Sequence, residues 1–174
     1  MNLPPINPHK DSDIKSADAK TASAVGHIPS GIFVVCIRND KKRIDGYLAS
    51  WIQQVSFEPL LISIAIKPGR PAYDHILKGS TFSVNVAGDH DRSFLKHLWK
   101  GYPPHENPFD LLPMKEGEFG GVILNAAKSA MECKLHSHFK PGDHEIVIAK
   151  VLKSYVNNEE STPLVHIRET GLDY

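Results

Sequence analysis

Asp45-Gly46-Tyr47-Leu48-Ala49-Ser50-Trp51-Ile52-Gln53-Gln54-Val55-Ser56-Phe57-Glu58-Pro59, leading directly into the apolar run Leu60 to Ile66, is the stretch that decides how this chain is read. A plain buried strand would carry aliphatic side chains throughout. This one places Ser50, Trp51, Gln53, Gln54 and Ser56 between two apolar segments. Polar groups set in an apolar frame need partners, because burying them unpaired costs about 1 to 3 kcal/mol each. Neighbouring backbone or a bound polar, flat molecule could supply those partners, so the segment is a candidate ligand contact.

Working outward, Ile32 to Ile37 is a continuous β-branched and aromatic run, Asn39-Asp40-Lys41-Lys42 marks a turn, and Tyr47 to Val55 reads as the returning strand of a hairpin. Leu60 to Ile66 is apolar at nearly every position, which predicts a strand covered on both faces at the centre of a closed architecture. Pro71 is placed to open a short helix that turns Ile76 and Leu77 inward and ends at Lys78-Gly79. In Phe82-Ser83-Val84-Asn85-Val86 the period of two puts the Asn85 amide away from the core side, facing a cleft. Phe94, Leu95, Leu98 and Trp99 recur at helical spacing within Asp91 to Lys100, predicting a second helix with its aromatic pair in the core. Gly101 to Gly121 holds four prolines and little periodicity, and is expected to form a flap over a ligand. Strands at Met131 to Phe139 and Glu145 to Tyr155, and a short apolar piece at Leu164 to Ile167, complete a β-rich chain.

A chain of 174 residues is one ordinary domain, able to bury about two thirds of the surface its unfolded form exposes. Residues 1–24 are rich in Pro, Asp, Lys, Ser and Ala, a composition of low burial that reads as a flexible N-terminal arm preceding a domain at 25–174. Twenty basic residues balance twenty acidic ones, so no global field recruits nucleic acid or an anionic membrane. Cys36 and Cys133 lie far apart in apolar runs, the pattern of buried thiols in a reducing compartment, and the absence of a basic, apolar leader makes the cytoplasm the expected location. No segment reaches the roughly 18 apolar residues of a membrane span.

Four pieces in order carry a resemblance: the Ala49-Ser50-Trp51 segment with its following strand, Lys67-Pro68-Gly69-Arg70-Pro71-Ala72-Tyr73-Asp74-His75-Ile76, Phe82 to Val86, and Gly142-Asp143-His144 leading into Glu145 to Val151. Together they resemble the flavin reductase-like, FMN-binding split-barrel family over roughly residues 25 to 174. The resemblance implies a mainly β fold, a closed antiparallel Greek-key barrel with two or three short helices. It also implies FMN as cofactor, NADH or NADPH as electron donor, and a homodimer.

On that resemblance, Leu48, Ala49 and Ser50 lie along the ribityl chain and ring edge of the flavin, Trp51 packs near the isoalloxazine, and Gln53 and Gln54 complete the ring's hydrogen bonds. Leu48 stands where many relatives carry threonine. The turn Gly69-Arg70-Pro71-Ala72 would face the phosphate, where backbone N–H groups at a helix start favour an anion and Arg70 adds a forked donor. Arg70 and Ala72 replace the serine and threonine hydroxyls usual in the family. Asn85 is the further cofactor contact expected, at the cleft-facing position of its strand. His144 resembles the family histidine beside the flavin where nicotinamide docks, and Asp143 would orient it. Cys133, His136, His138 and His144 are all zinc ligands by type, but strand alternation turns the thiol away from the imidazoles of His136 and His138, and no metal is expected.

Two function classes follow. The first is a flavin reductase that takes hydride from NAD(P)H and passes electrons to free flavin, a monooxygenase partner or another acceptor. The second is an electron-transfer protein similar to flavoredoxin, holding FMN and reduced by a protein partner. A split-barrel binding module without flavin is the third reading, favoured by Leu48, Arg70 and Ala72.

Overall fold

The computed structural model describes residues 18–99 and 106–172, and these fall into two compact units. In one, helix α1 (Ala19–Gly26) starts at Asp18, whose carboxylate accepts from the Thr21 N–H, and the chain near the C-terminus is tied to it by bonds from Arg168 N to Gly26 O and from Gly171 N to Ala22 O. A Cβ at Gly26 would come within 2.8 Å of the Arg168 and Thr170 backbone, so that close approach requires glycine. Residues 19–24, expected to belong to an arm, are therefore helical. The rest of that arm, residues 1–17, lies outside the described residues.

The second unit, residues 30–166, is mainly β. Its strands are β1 (Ser30–Gly31), β2 (Phe33–Arg38), β3 (Ile44–Ala49), β4 (Ile52–Ser56), β5 (Leu61–Ile66), β6 (Phe82–Val86), β7 (Met114–Glu116), β8 (Val122–Leu124), β9 (Ser129–Phe139), β10 (Glu145–Val156) and β11 (Val165–His166). Seven form one antiparallel sheet in the order β3-β2-β6-β9-β10-β5-β4, while β1 pairs β11 and β7 pairs β8. Helix α2 (Tyr73–Leu77) follows β5.

Tyr47 to Val55 is not one returning strand. It breaks at Ser50-Trp51 into β3 and β4, which occupy the two opposite ends of the ladder order. Two residues extend the chain by only about 7 Å, so the end of β3 and the start of β4 lie close together although they stand at opposite ends of the ladder order. The core agrees. One cluster takes inward side chains from all seven strands, among them Val35, Tyr47, Ile52, Ile64, Phe82, Cys133 and Val147. No ladder joins β3 to β4 among the described residues.

A second cluster lies on the other face of β2, where Val34 and Cys36 alternate with Val35 and Ile37. The unbroken apolar run of β2 is thus explained by burial on both faces. The same expectation fails for Leu60 to Ile66: only Ile62, Ile64 and Ile66 are buried, β5 is second from the edge of the ladder, and Leu60 lies outside it. Helix α2 begins at Tyr73 rather than at Pro71. Pro71 and Ala72 instead form the middle of a turn closed by Tyr73 N to Arg70 O at 3.1 Å, with Ala72 at φ 76°, the geometry of a type II turn. The predicted end holds, with Lys78 as cap and Gly79 at φ 82°.

Where a second α-helix was expected, Ser93–His97 is a 3-10 turn. Phe94 is core as predicted, but Trp99 is 57% exposed, its ring set edge-to-face with His166. The expected flap is likewise revised where it is described. Pro108 and Phe109 are buried, Phe109 within the second cluster, and β7–β8 is a hairpin packed on the sheet rather than a cover. Residues 101–105 of that stretch lie outside the described residues. Cys36 and Cys133 belong to different clusters; burial pushes the Cys36 thiol far up and that of Cys133 up to about 12, so both are inert at neutral pH.

Candidate functional site

The register of β5 assembles the site. On one side β10 pairs with it so that Glu145 faces Ile66, which sets His144 and Asp143 beside the chain leaving the strand at Lys67. On the other side β4 pairs with it, and Ala65 N donates to Trp51 O at 3.0 Å. Trp51 and His144 therefore flank the C-terminal end of β5, and their rings meet at 5.1 Å between centroids, tilted by 50°. The turn from Lys67 to Ala72 continues from the same strand end.

Electrostatics tie these segments together. His144 Nδ1 lies 2.8 Å from Asp143 Oδ1. A carboxylate only accepts, so Nδ1 carries the hydrogen. The His144 side chain is 12% exposed against 80% for Asp143, so the imidazole is largely covered while its carboxylate partner stays in solvent. The hydrogen bond from His144, followed by its charge and that of Lys67, holds the Asp143 carboxyl below the ordinary value.

Behind the turn, Tyr73 on α2 donates its hydroxyl to Glu145 Oε2 at 3.3 Å, and His138 on β9 donates Nδ1 to Oε1 of the same carboxylate. Burial first, and then the Glu145 charge, push the Tyr73 phenol up, which keeps it a neutral donor. No side chain caps the start of α2. Arg70 and Lys67 are exposed at the turn. A half-buried indole, a covered imidazole, two cations and an uncapped helix start are a donor set that suits a planar group with an anionic tail.

Of the residues singled out from sequence, Ser50, Trp51, Asp143 and His144 come together at this corner, with Arg70 and Ala72 in the adjoining turn. Ala49 is buried in the core that draws on all seven strands. Leu48 points the other way and packs its side chain on the second cluster, so only its backbone remains for a ligand. Gln53 and Gln54 lie farther along β4, exposed, and the Gln54 amide is spent on Ser56 O.

Asn85 does not face a cleft. It is fully buried; its amide nitrogen donates to Val34 O and Val122 O, and its oxygen accepts from Leu124 N. Both faces of β6 are covered, which a simple alternation of polar and apolar residues does not report. With Ser83, whose hydroxyl also donates to Val122 O, Asn85 helps fasten the β7–β8 hairpin to the sheet. Lys67, Tyr73, His138 and Glu145 were missed from sequence, and only the register of β5, β9 and β10 would have found them.

Comparison with known proteins agrees with this picture. The family model described as the flavin reductase like domain matches residues 25–171. Diflavin flavoprotein A 1 of Synechocystis sp. is 28% identical over 170 residues, which is 97% of this chain but 30% of that protein, so the chain spans less than a third of that relative. An NADH:FAD oxidoreductase from Streptomyces globisporus has the same fold, with a TM-score of 0.74 at 22% identity over 83% of this chain and 86% of its own. An FMN-binding protein from Thermus thermophilus, solved with p-hydroxybenzaldehyde bound, superposes with a TM-score of 0.64 at 26% identity, covering 77% and 74% of the two chains. With the family match spanning nearly all of the described residues, this chain belongs to the flavin reductase-like family.

Proposed function

We propose that this chain is an FMN-dependent flavin reductase that accepts hydride from NADH or NADPH. The observation that carries the reading is the convergence of Trp51, the Asp143–His144 pair and the Lys67–Ala72 turn on one end of β5. Family membership and the fold shared with a named NADH:FAD oxidoreductase support it. The closed split barrel belongs to the same proposal, with the Ser50-Trp51 corner as its point of closure, as does a homodimer.

When bound, the flavin supplies the redox chemistry, accepting hydride at its ring. The chain's own residues supply placement. Trp51 offers an aromatic face against which a flat ring orients, a contact worth about 0.5 to 1.5 kcal/mol beyond area burial. Arg70 and the N–H groups at the start of α2 hold the phosphate. Asp143 fixes the tautomer and plane of His144, whose covered ring limits water on the side where nicotinamide docks. Placement of this kind is how a site that performs no bond-making itself raises a rate.

Anaerobic mixing of the FMN-loaded protein with NADH and with NADPH tests the proposal. Loss of the flavin's visible absorption on a turnover timescale is expected; a flavin that binds but stays oxidised with both would overturn the reductase. One observation favours a second reading. Near-complete coverage of this chain by a segment of a diflavin flavoprotein suits an electron-transfer unit, reduced by a protein partner. In that case bleaching needs a reduced protein rather than a nucleotide.

A further inference from the structure

We propose that Glu145 and Tyr73 are positioning residues that set the phosphate end of the site, an inference that rests on the flavin reading above. The alternation of β10 turns Glu145, Val147 and Ala149 inward, and the latter two are apolar core. At Glu145 the pattern is broken by a carboxylate that is only 6% exposed. An aliphatic side chain would fill that place beside Ile66 without needing partners, whereas a buried carboxylate requires them.

Its partners come from two other elements. Oε2 accepts the Tyr73 hydroxyl of α2 at 3.3 Å, and Oε1 takes His138 Nδ1 of β9. Tyr73 is the first residue of α2 and follows Ala72 directly. Its own N–H closes the Arg70–Tyr73 turn. That helix has five residues and no side-chain cap, so its first turn has little of its own to fix its direction. The phenol–carboxylate bond supplies the missing anchor. Because Glu145 also follows His144, a single carboxylate holds the turn that would face the phosphate and the strand that carries the imidazole in one register.

The test separates phosphate from ring. FMN and riboflavin share the ring and ribityl chain and differ in the phosphate. Their dissociation constants are measured by quenching of flavin fluorescence for the wild type, Tyr73→Phe, Glu145→Gln and the double variant. Tyr73→Phe removes one hydroxyl while leaving the ring packed. It is expected to raise the constant for FMN about tenfold and that for riboflavin by less than about twofold, in line with the loss of one hydrogen bond to a charged group. Glu145→Gln shifts FMN the same way, and the double variant is no weaker than the weaker single one, as residues of one tether require.

Equal weakening of both ligands, additive effects, or no change in FMN affinity would overturn the tether. If the wild type takes up neither ligand, the flavin reading fails, and the tether's role with it. If it binds both equally well, the phosphate end is not gripped and this inference alone falls.

Discussion

The Trp51 and His144 rings lie 5.1 Å apart across the end of β5, although one leaves an early strand corner and the other precedes the last long strand. The contact exists because Ala65 holds Trp51 from one side while Ile66 pairs Glu145 on the other. In the proposed enzyme that geometry places the imidazole on the ring's open face. His144→Ala is expected to slow flavin reduction by the preferred nucleotide by about ten- to a hundredfold, with FMN still bound. Single-turnover stopped-flow absorbance checks it, and an unchanged rate would remove His144 from its role.

Asn85 offers a test of the opposite kind. Replacing it by Ala strands the buried Leu124 N–H and removes one donor each from Val34 O and Val122 O, the latter keeping the Ser83 hydroxyl. The cost is about 2 kcal/mol of folding stability, from one stranded buried N–H and two lost carbonyl contacts. Urea unfolding followed by circular dichroism measures it, and FMN affinity of the folded variant is expected to match wild type.

Much of the fold was legible because burial writes itself into periodicity. The two-sided burial of β2 shows as an unbroken apolar run, and β9 and β10 fall within two residues of their predicted bounds. What the sequence could not show was which strands are neighbours. Ser50-Trp51 looked like the middle of one strand because the pattern continues through it, yet there the chain crosses from one end of the ladder order to the other. Asn85 looked cleft-facing because alternation cannot say whether the second face is covered, and here the β7–β8 hairpin covers it. Gln53 and Gln54 stand out as polar groups in an apolar frame and Leu48 by likeness, whereas side-chain direction on β3 turns Leu48 onto the second cluster and Gln53 and Gln54 lie exposed farther along β4. Trp51, Asp143 and His144 lie near one another because their two local motifs sit on either side of the end of β5.

Glu132 is a buried carboxylate with a structural task. Its Oε1 accepts from Phe119 N and Gly121 N, and its Oε2 accepts from Tyr155 Oη at 2.7 Å. Glu132→Ala should destabilise by about 3 kcal/mol by stranding these donors. Gly121→Ala should act in the same direction, since its Cβ would lie 2.8 Å from Glu132 Cγ. Both are read from denaturant midpoints, and a neutral Gly121→Ala would contradict the close approach.

Asp89 sets an acid limit to stability. Hydrogen bonds from the Thr162 backbone first, and from the Ser161 hydroxyl next, hold its carboxyl below the ordinary value of 3.8. A depressed carboxyl contributes stability that is fully present above the unfolded value and is lost as pH falls through the folded one. The stability gap between wild type and Asp89→Ala should therefore be constant from neutrality to about pH 5 and shrink below about pH 4. Urea midpoints across that range measure it, and a gap that widens on acidification would contradict the assignment.

The most direct test of the central claim is a titration of FMN into the wild type, Trp51→Ala and Arg70→Ala, followed by flavin fluorescence. Saturable binding of one FMN per chain is expected for the wild type, weakened by about tenfold or more in each variant, as loss of an aromatic face or a charged phosphate contact requires. A wild type that fails to bind FMN, or variants that bind it as tightly as the wild type, would contradict the placement of the flavin at this corner.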